Sequence, residues 1–296
     1  MPRSTSLRDA IADRLAAQWV ALGCQLAGPA ETGMVDLEAA IAATATLHRA
    51  EDARIREAGI AWSVAFGQAV NTSRLKRVAA EMQVDDDLSR FAADIAVSGG
   101  PRWPMATGMM GERAARGKVQ VRDLAATPRL VWRLRSAFGV NARADILAAL
   151  ITDPTRGLTI ADLTRATRFT KRNVAVAVAA MDLAGVVEVG RTENRDRVTL
   201  PAGSPFRTWL RQPRAGGAVD WVARLSVALQ TAAVLDATED AAEPVQLVEA
   251  RVSVESLLDE IAWAGLPRPD LARTGMDFTA EYAWWADEVA RLLREV

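Results

Sequence analysis

The chain has 296 residues, half of them hydrophobic, and its 36 basic side chains nearly balance 37 acidic ones. This length allows roughly two or three domains of about 100–200 residues, and the apolar content excludes a disordered chain. Cys24 is the only cysteine, which excludes an intramolecular disulfide and a cysteine zinc cluster. Any histidine-based triad or metal site would have to use the single histidine, His48.

Targeting signals are absent from the sequence pattern. No apolar run approaches the roughly 20 residues that a membrane span needs, and the first residues lack the apolar region of a signal peptide. The sequence therefore predicts a cytoplasmic protein that makes no contact with a membrane.

Positive charge is concentrated in the middle of the chain. Residues 102–214 hold 20 Lys and Arg against 9 Asp and Glu, which leaves 16 basic and 28 acidic residues for the two ends. A basic middle between acidic ends predicts an anionic partner for the middle. The alternative is a compositional bias, since 33 of the 36 basic residues are arginine.

Four segments follow from the apolar spacing and the breaks in it. Residues 1–98 are predicted to form a helical N-terminal domain, because apolar residues recur at helical spacing. Residues 99–118 are predicted to form an exposed Gly/Pro-rich basic linker or loop. Residues 119–212 hold a lead-in helix and the pattern described next, and residues 218–296 are predicted to form an acidic helical C-terminal domain. The expected fold class is mainly α, with one small β-hairpin.

The stretch 143–200 carries the local signals of three helices and a hairpin. The first helix has an apolar stripe and ends at Asp153-Pro154. Thr159 and Asp162 resemble a capping box that opens the second helix, and Thr170 is placed to cap the third.

The third helix is predicted to bury Val174, Val178 and Met181, which share one helical face. It is predicted to end at Gly185, where a C-cap favours positive φ. Apolar runs at 186–189 and 198–200 then predict two strands, joined by a polar hairpin turn.

The stretch 143–200 resembles bacterial winged helix-turn-helix transcription regulators. In those proteins a capped third helix ends in a Leu-x-x-Ala-Gly pattern, followed by two apolar residues and a hairpin. The matching residues here are Met181, Ala184, Gly185, Val186 and Val187. The flanking segments are similar to uncharacterised bacterial winged-helix proteins, some of which accompany nucleotidyltransferases. The resemblance implies a transcriptional regulator that binds double-stranded DNA.

The resemblance also implies which residues contact DNA. The third helix would enter the major groove with its first turn, where Arg can bind guanine and Asn can bind adenine. Its N-terminus would add backbone N–H groups for phosphate. The hairpin and the second helix would supply further arginines to the backbone. The predicted DNA-binding residues are Thr170, Lys171, Arg172, Asn173, Arg165, Arg168, Arg191, Arg195 and Arg197.

The outer face of the third helix departs from this family's pattern, because it is nearly apolar after the first turn. Val176, Ala179 and Leu183 lie opposite the buried positions, and a helix that is apolar all round is usually buried. Two interpretations stay open. Either this face meets thymine methyl groups, or a partner protein covers it. In the second case the chain would be a non-catalytic interaction or antitoxin-like subunit that docks an enzyme such as a nucleotidyltransferase.

Other candidate sites are weaker. No nucleophile–base set, cofactor motif or metal cluster stands out, so we expect no catalytic residue, no cofactor, no metal and no enzyme activity. Four C-terminal tryptophans, Trp221, Trp263, Trp284 and Trp285, are predicted to fill a helical core, with a ligand pocket as the alternative. A homodimer is expected if the DNA site is palindromic.

Overall fold

The computed structural model describes residues 4–106, 117–121, 123–154, 157–192, 195–209 and 219–295. Over these ranges the chain is 66% helical, with 13 α-helices and one small antiparallel sheet of two strands, which confirms the mainly α prediction. The helices are α1 Ser4–Ala21, α2 Leu37–Ala45, α3 Ala53–Phe66, α4 Thr72–Met82, α5 Asp85–Val97, α6 Leu130–Phe138, α7 Ala142–Thr152, α8 Ile160–Thr167, α9 Lys171–Leu183, α10 Trp221–Ala237, α11 Glu243–Ser256, α12 Leu258–Trp263 and α13 Gly275–Arg294. The strands are β1 Glu188–Thr192 and β2 Arg195–Thr199.

The buried apolar side chains of the described ranges form two clusters. The first cluster combines α1–α5 with α10–α13. The second cluster is formed by α6–α9 and the β1–β2 hairpin. α1 packs against α10 and α13, and Arg14 Nε donates to the Leu293 carbonyl at 2.6 Å. The N-terminal and C-terminal helices therefore share one core, while the boundaries of folding units at 98 and 218 stay predictions.

The described ends of the predicted linker at 99–118 are packed against the first cluster. Trp103 is only 3% exposed. A Cβ placed on Gly100 would lie 2.6 Å from Ile95 Cγ2, so only glycine fits there. At the other end, Gln25 N donates to the Lys118 carbonyl at 3.2 Å. Residues 107–116 of the predicted linker lie outside the described residues. The described ends of this segment thus contact the first cluster at Trp103, Gly100 and Lys118, while the side chains of Arg102, Pro104 and Lys118 are exposed, and the linker itself stays a prediction.

The capping signals of the stretch 143–200 are confirmed. Thr159 and Asp162 form a reciprocal capping box at the start of α8. Thr170 Oγ1 accepts from Asn173 N at 3.3 Å at the start of α9, and Gly185 has φ +68°. Each cap satisfies backbone N–H or C=O groups that a helix end leaves without a partner.

The predicted strand positions are shifted by the way α9 ends. Val186 N donates to the Met181 carbonyl at 2.9 Å, so this residue closes the helix instead of opening a strand. β1 begins at Glu188 and pairs with β2 through Val189 opposite Val198. Val198 also exchanges two backbone hydrogen bonds with Leu158, of 3.0 and 2.8 Å, which ties the hairpin to the loop before α8. Residues 193–194 of the predicted turn lie outside the described residues.

Five charged side chains, four of them buried and Asp36 half-buried, join the two clusters, and we call them the Glu38 network. Asp36 and Glu38 stand at the start of α2, Arg74 on α4, Arg135 on α6 and Asp145 on α7. The Glu38 carboxylate lies 2.6 Å from both guanidinium groups, accepting from Arg74 on one oxygen and from Arg135 on the other. Arg135 also holds Asp145 with two bonds of 2.8 Å. The network therefore links α2 and α4 to α6 and α7.

The arginines keep the acids of the Glu38 network ionised. Burial alone would raise the pKa of Asp36, but the charge and hydrogen bonds of Arg74 outweigh it and lower that pKa to about 2. Burial likewise opposes ionisation of Glu38, yet Arg135 and Arg74 together hold its pKa below the ordinary value. At neutral pH the network is thus made of full charges, each dependent on its partners.

Replacing Arg135 with Met removes five donors from this network. Its guanidinium donates to Glu38, Asp145 and the Ala69 carbonyl. Breaking a buried ion pair on one side typically costs about 3–5 kcal/mol, because the remaining charge is stranded. We expect Arg135→Met to lower the free energy of unfolding by about this amount in urea denaturation.

The matched control is Arg273→Met, because Arg273 is half-exposed and pairs with Glu281 at 3.3 Å. We expect it to change the free energy of unfolding by less than about 1 kcal/mol. Equal losses for the two variants would contradict the role given to the Glu38 network.

Candidate nucleic-acid interface

The first turn of α9 presents three polar side chains to solvent. Thr170 caps the helix, and Lys171, Arg172 and Asn173 follow it, all exposed. The first backbone N–H groups of a helix lack intrahelical acceptors and carry partial positive charge. Two cationic side chains, an amide and a helix N-terminus therefore share one exposed position, which suits a phosphate backbone or base edges.

The inner face of α9 holds the helix against the second cluster. Val174, Val178 and Met181 are all at most 3% exposed, which confirms the predicted core face. They pack with residues of α7 and α8. This anchoring fixes which side of α9 faces outwards.

The outer face of α9 is apolar and open to solvent. Val176 is 64% exposed and Leu183 is 91% exposed, and Ala179 between them is also exposed. No other part of the described chain covers these side chains. The structure thus confirms the unusual apolar face predicted from the helical spacing and leaves it free for an external molecule.

The hairpin carries two exposed arginines and one that is engaged. Arg191 and Arg195 are exposed. Arg197 is half-buried and donates to the Gly157 carbonyl at 3.0 Å, so it fastens β2 to the loop before α8. Exposed Glu188 and Asp196 lie on the same two strands and reduce the positive charge there.

The two arginines predicted on or near α8 have different positions. Arg165 has a 44% exposed side chain that pairs with Asp162 at 3.2 Å, and its guanidinium lies 6.0 Å from the ring of Trp263. Arg168 is 8% exposed, and it is bound to Glu81 at 2.8 Å and to Asp220 at 2.9 Å. The Arg168 guanidinium is therefore engaged by two carboxylates inside the protein, unlike the exposed position predicted for a phosphate contact.

The turn between α8 and α9 is held from behind by α4. Arg74 Nε donates to the Thr167 carbonyl at 2.7 Å, and Arg77 Nε donates to the Arg168 carbonyl at 2.5 Å. The Arg77 guanidinium also lies over the Phe169 ring, 5.4 Å from its centroid. No local pattern in the sequence predicts these contacts, because donor and acceptor are about 90 residues apart.

The remaining reactive residues lie outside this surface. His48 is exposed and contacts Asp87 at 2.9 Å instead of its sequence neighbours Glu51 and Asp52. Burial raises the pKa of the Cys24 thiol to about 12, which keeps it protonated at neutral pH. Over the described ranges, no three or more His, Cys, Asp or Glu are grouped to hold a metal ion. Among the same residues, no helix is both long and apolar enough to cross a membrane.

The opposite environments of the two faces of α9 predict opposite responses to a polar residue. We expect Leu183→Ser to change the free energy of unfolding by no more than about 0.5 kcal/mol, because Leu183 is 91% exposed. We expect Val178→Ser to lower it by about 2 kcal/mol or more, because a buried side chain is replaced by a hydroxyl. Urea denaturation of both variants measures the difference, and a larger loss for Leu183→Ser would mean that this face is covered.

Comparison with known protein families, characterised proteins and solved structures gave no match for this chain. Any function for the protein therefore has to rest on its own side chains and their geometry.

Proposed function

We propose that this protein is a transcriptional regulator that binds double-stranded DNA through a winged helix-turn-helix. In this proposal α8 and α9 are the helix-turn-helix, α9 enters the major groove, and the β1–β2 hairpin is the wing. The observation that carries the proposal is the exposed first turn of α9. Lys171, Arg172 and Asn173 extend there from a capped helix N-terminus whose inner face is fully packed.

The proposed contacts divide into base contacts and backbone contacts. Arg172 and Asn173 have the donor groups for guanine and adenine edges. Lys171, Arg191 and Arg195 are exposed and would neutralise phosphates, which gives affinity without sequence information. Arg165 is half-exposed and stays among the proposed DNA-binding residues. Arg197 mainly holds the hairpin to the loop before α8, and Arg168 is not proposed to contact DNA.

The two carboxylates that bind Arg168 in the turn between α8 and α9 do not oppose this interaction. Glu81 and Asp220 both bind Arg168, so their negative charge is already compensated inside the protein. The predicted homodimer belongs to the same proposal, since two copies of α9 would read two half-sites of a palindrome.

The double substitution Lys171→Ala/Arg172→Ala tests the proposal. We expect a loss of roughly 1–3 kcal/mol for each base contact removed, and a fall of about one in the salt slope for each phosphate contact removed. The measurement is a salt-titrated binding assay on random DNA and on DNA from neighbouring genes.

The matched control for this assay is Arg90→Ala/Arg273→Ala, which removes two exposed arginines from α5 and from the loop before α13. It should bind DNA as the parent does. Unchanged affinity of the α9 double variant at every salt concentration would rule out the groove assignment.

A second candidate function is favoured by the open apolar face. Val176, Ala179 and Leu183 would dock a partner protein, and the chain would serve as a non-catalytic or antitoxin-like subunit of an enzyme such as a nucleotidyltransferase. A helix that reads DNA has no need for a side chain as exposed as Leu183, at 91%, whereas such side chains mark protein contacts.

The double substitution Val176→Asp/Leu183→Asp separates the two functions. If a partner covers this face, we expect a stoichiometric protein to co-purify with the parent and with Lys171→Ala/Arg172→Ala, and to be lost from the aspartate variant. If Lys171→Ala/Arg172→Ala loses DNA binding and no protein co-purifies, the second candidate function would instead be rejected.

A further inference from the structure

A cavity of about 370 Å³ opens where the two clusters meet. Its walls come from α6, α7 and α8 on one side, and from the loop before α2, α4, the start of α10 and α12 on the other. The volume is more than twice the roughly 150 Å³ of a cavity that accepts benzene, and it falls in the range of small-ligand pockets. The cavity can therefore hold one or two fused aromatic rings.

Two tryptophans form the aromatic part of the wall. Trp221 is 2% exposed, and its Nε1 is held by the Met34 carbonyl at 3.1 Å. Trp263 is 40% exposed. Its only cationic neighbour among the described contacts is Arg165, whose guanidinium lies 6.0 Å from the ring centroid, at the outer limit of a cation–π contact. Trp221 is thus held in place, whereas the ring face of Trp263 is contacted only at long range by Arg165.

The two buried arginines at the cavity, Arg74 and Arg135, have almost no donor left for a ligand. Arg135 uses its five N–H groups on Glu38, Asp145 and the Ala69 carbonyl. Arg74 directs four of its N–H groups to Asp36, Glu38 and the Thr167 carbonyl. A guanidinium has five donors, so an anionic ligand would find these two arginines already engaged.

The carboxylates at the cavity keep acceptor capacity. Each Asp145 oxygen accepts one hydrogen bond, both from Arg135. Asp220 accepts one from Ala223 N and one from Arg168. An ionised carboxylate can accept about four hydrogen bonds. Each of these two aspartates accepts two from described residues, so roughly two acceptor positions stay unused. A ligand that donates hydrogen bonds would therefore match the acceptor positions still available in the cavity.

The balance of charge points the same way. The charged side chains that line the cavity are three aspartates, Asp36, Asp145 and Asp220, and three arginines, Arg74, Arg135 and Arg165. Arg165 is the half-exposed one of these arginines, with a 44% exposed side chain. With Arg165 turned out to solvent, a small positive group inside the cavity would face three carboxylates and two guanidinium groups.

We propose that this cavity binds a small planar aromatic cation, such as an aryl amidine, an aryl guanidine or an aromatic amine that is protonated at neutral pH. Its ring stacks on Trp263, and its charged N–H groups donate to the free acceptor positions of Asp145 and Asp220. Arg165 moves away from the Trp263 ring when the ligand enters. This site does not depend on the proposed DNA contact.

Three probes of one shape test the sign of the charge. Benzamidine, benzamide and benzoate share a ring and a planar substituent, and carry a positive, zero and negative charge. Isothermal titration calorimetry of the full chain should give a Kd for benzamidine at least about tenfold lower than for benzamide, with benzoate weaker still. Equal binding of the three probes, preference for benzoate or no binding of benzamidine would each overturn the proposal.

Two pairs of variants test the location. Ala166 and Ala161 are both exposed on α8, but only Ala166 lines the cavity. Ala166→Trp should abolish benzamidine binding, and Ala161→Trp should leave it unchanged. Trp263 and Trp284 are similarly exposed, at 40% and 52%, and only Trp263 lines the cavity. Trp263→Leu should weaken binding about tenfold, and Trp284→Leu should not.

The second pair keeps the test decisive if the larger tryptophan at Ala166 impairs folding, which far-UV circular dichroism reports. Retained benzamidine affinity in a folded Ala166→Trp or in Trp263→Leu would place any binding elsewhere on the protein.

Discussion

The ion pairs of the Glu38 carboxylate are the most buried of the polar contacts between the two clusters, and the other contacts between the clusters are arranged around them. The carboxylate is fully buried, and its two oxygens hold Arg74 and Arg135, which belong to different parts of the fold. A buried ion pair adds little net stability, because desolvation offsets the attraction, whereas an isolated buried charge is strongly unfavourable. The network therefore acts mainly as a selector of geometry, since any relative shift of α2 and α6 would separate Glu38 from Arg135, and both side chains are buried.

The Glu38 network is also connected to the candidate interface, through hydrogen bonds to backbone carbonyls. The Nε of Arg74, a member of the network, also donates to the Thr167 carbonyl. One turn further along α4, the Nε of Arg77 donates to the carbonyl of the next residue, Arg168. The turn between α8 and α9 is thus held by α4. The first turn of α9, its apolar outer face and the hairpin stay exposed to solvent. A rigid support behind an exposed helix is the arrangement that precise contacts need.

The sequence predicts most of what is local. The capping threonines, the core face of α9, the positive φ of Gly185 and the open apolar face are each determined by residues within a few positions of one another. β1 starts later than predicted because hydrophobicity alone does not distinguish a residue that closes a helix from one that opens a strand, as Val186 shows. The position of Arg168 was unpredictable for another reason. Its partners Glu81 and Asp220 are 87 and 52 residues away, and nothing in a charged turn residue indicates whether it points outwards or inwards. The shared core of the two ends likewise depends on contacts that no local pattern reports.

That shared core has a consequence for the order of folding during synthesis. The helices and the hairpin of the second cluster lie close together in the sequence, so their contacts are available before α10 leaves the ribosome. The first cluster has to wait much longer, because α1 packs against α13 and Arg14 binds the Leu293 carbonyl. Pairings of such long range close slowly, and until α13 arrives the side of α1 that packs against it has no cover. This late closure leaves apolar surface exposed for longest, and transiently exposed apolar surface is what drives association between nascent chains.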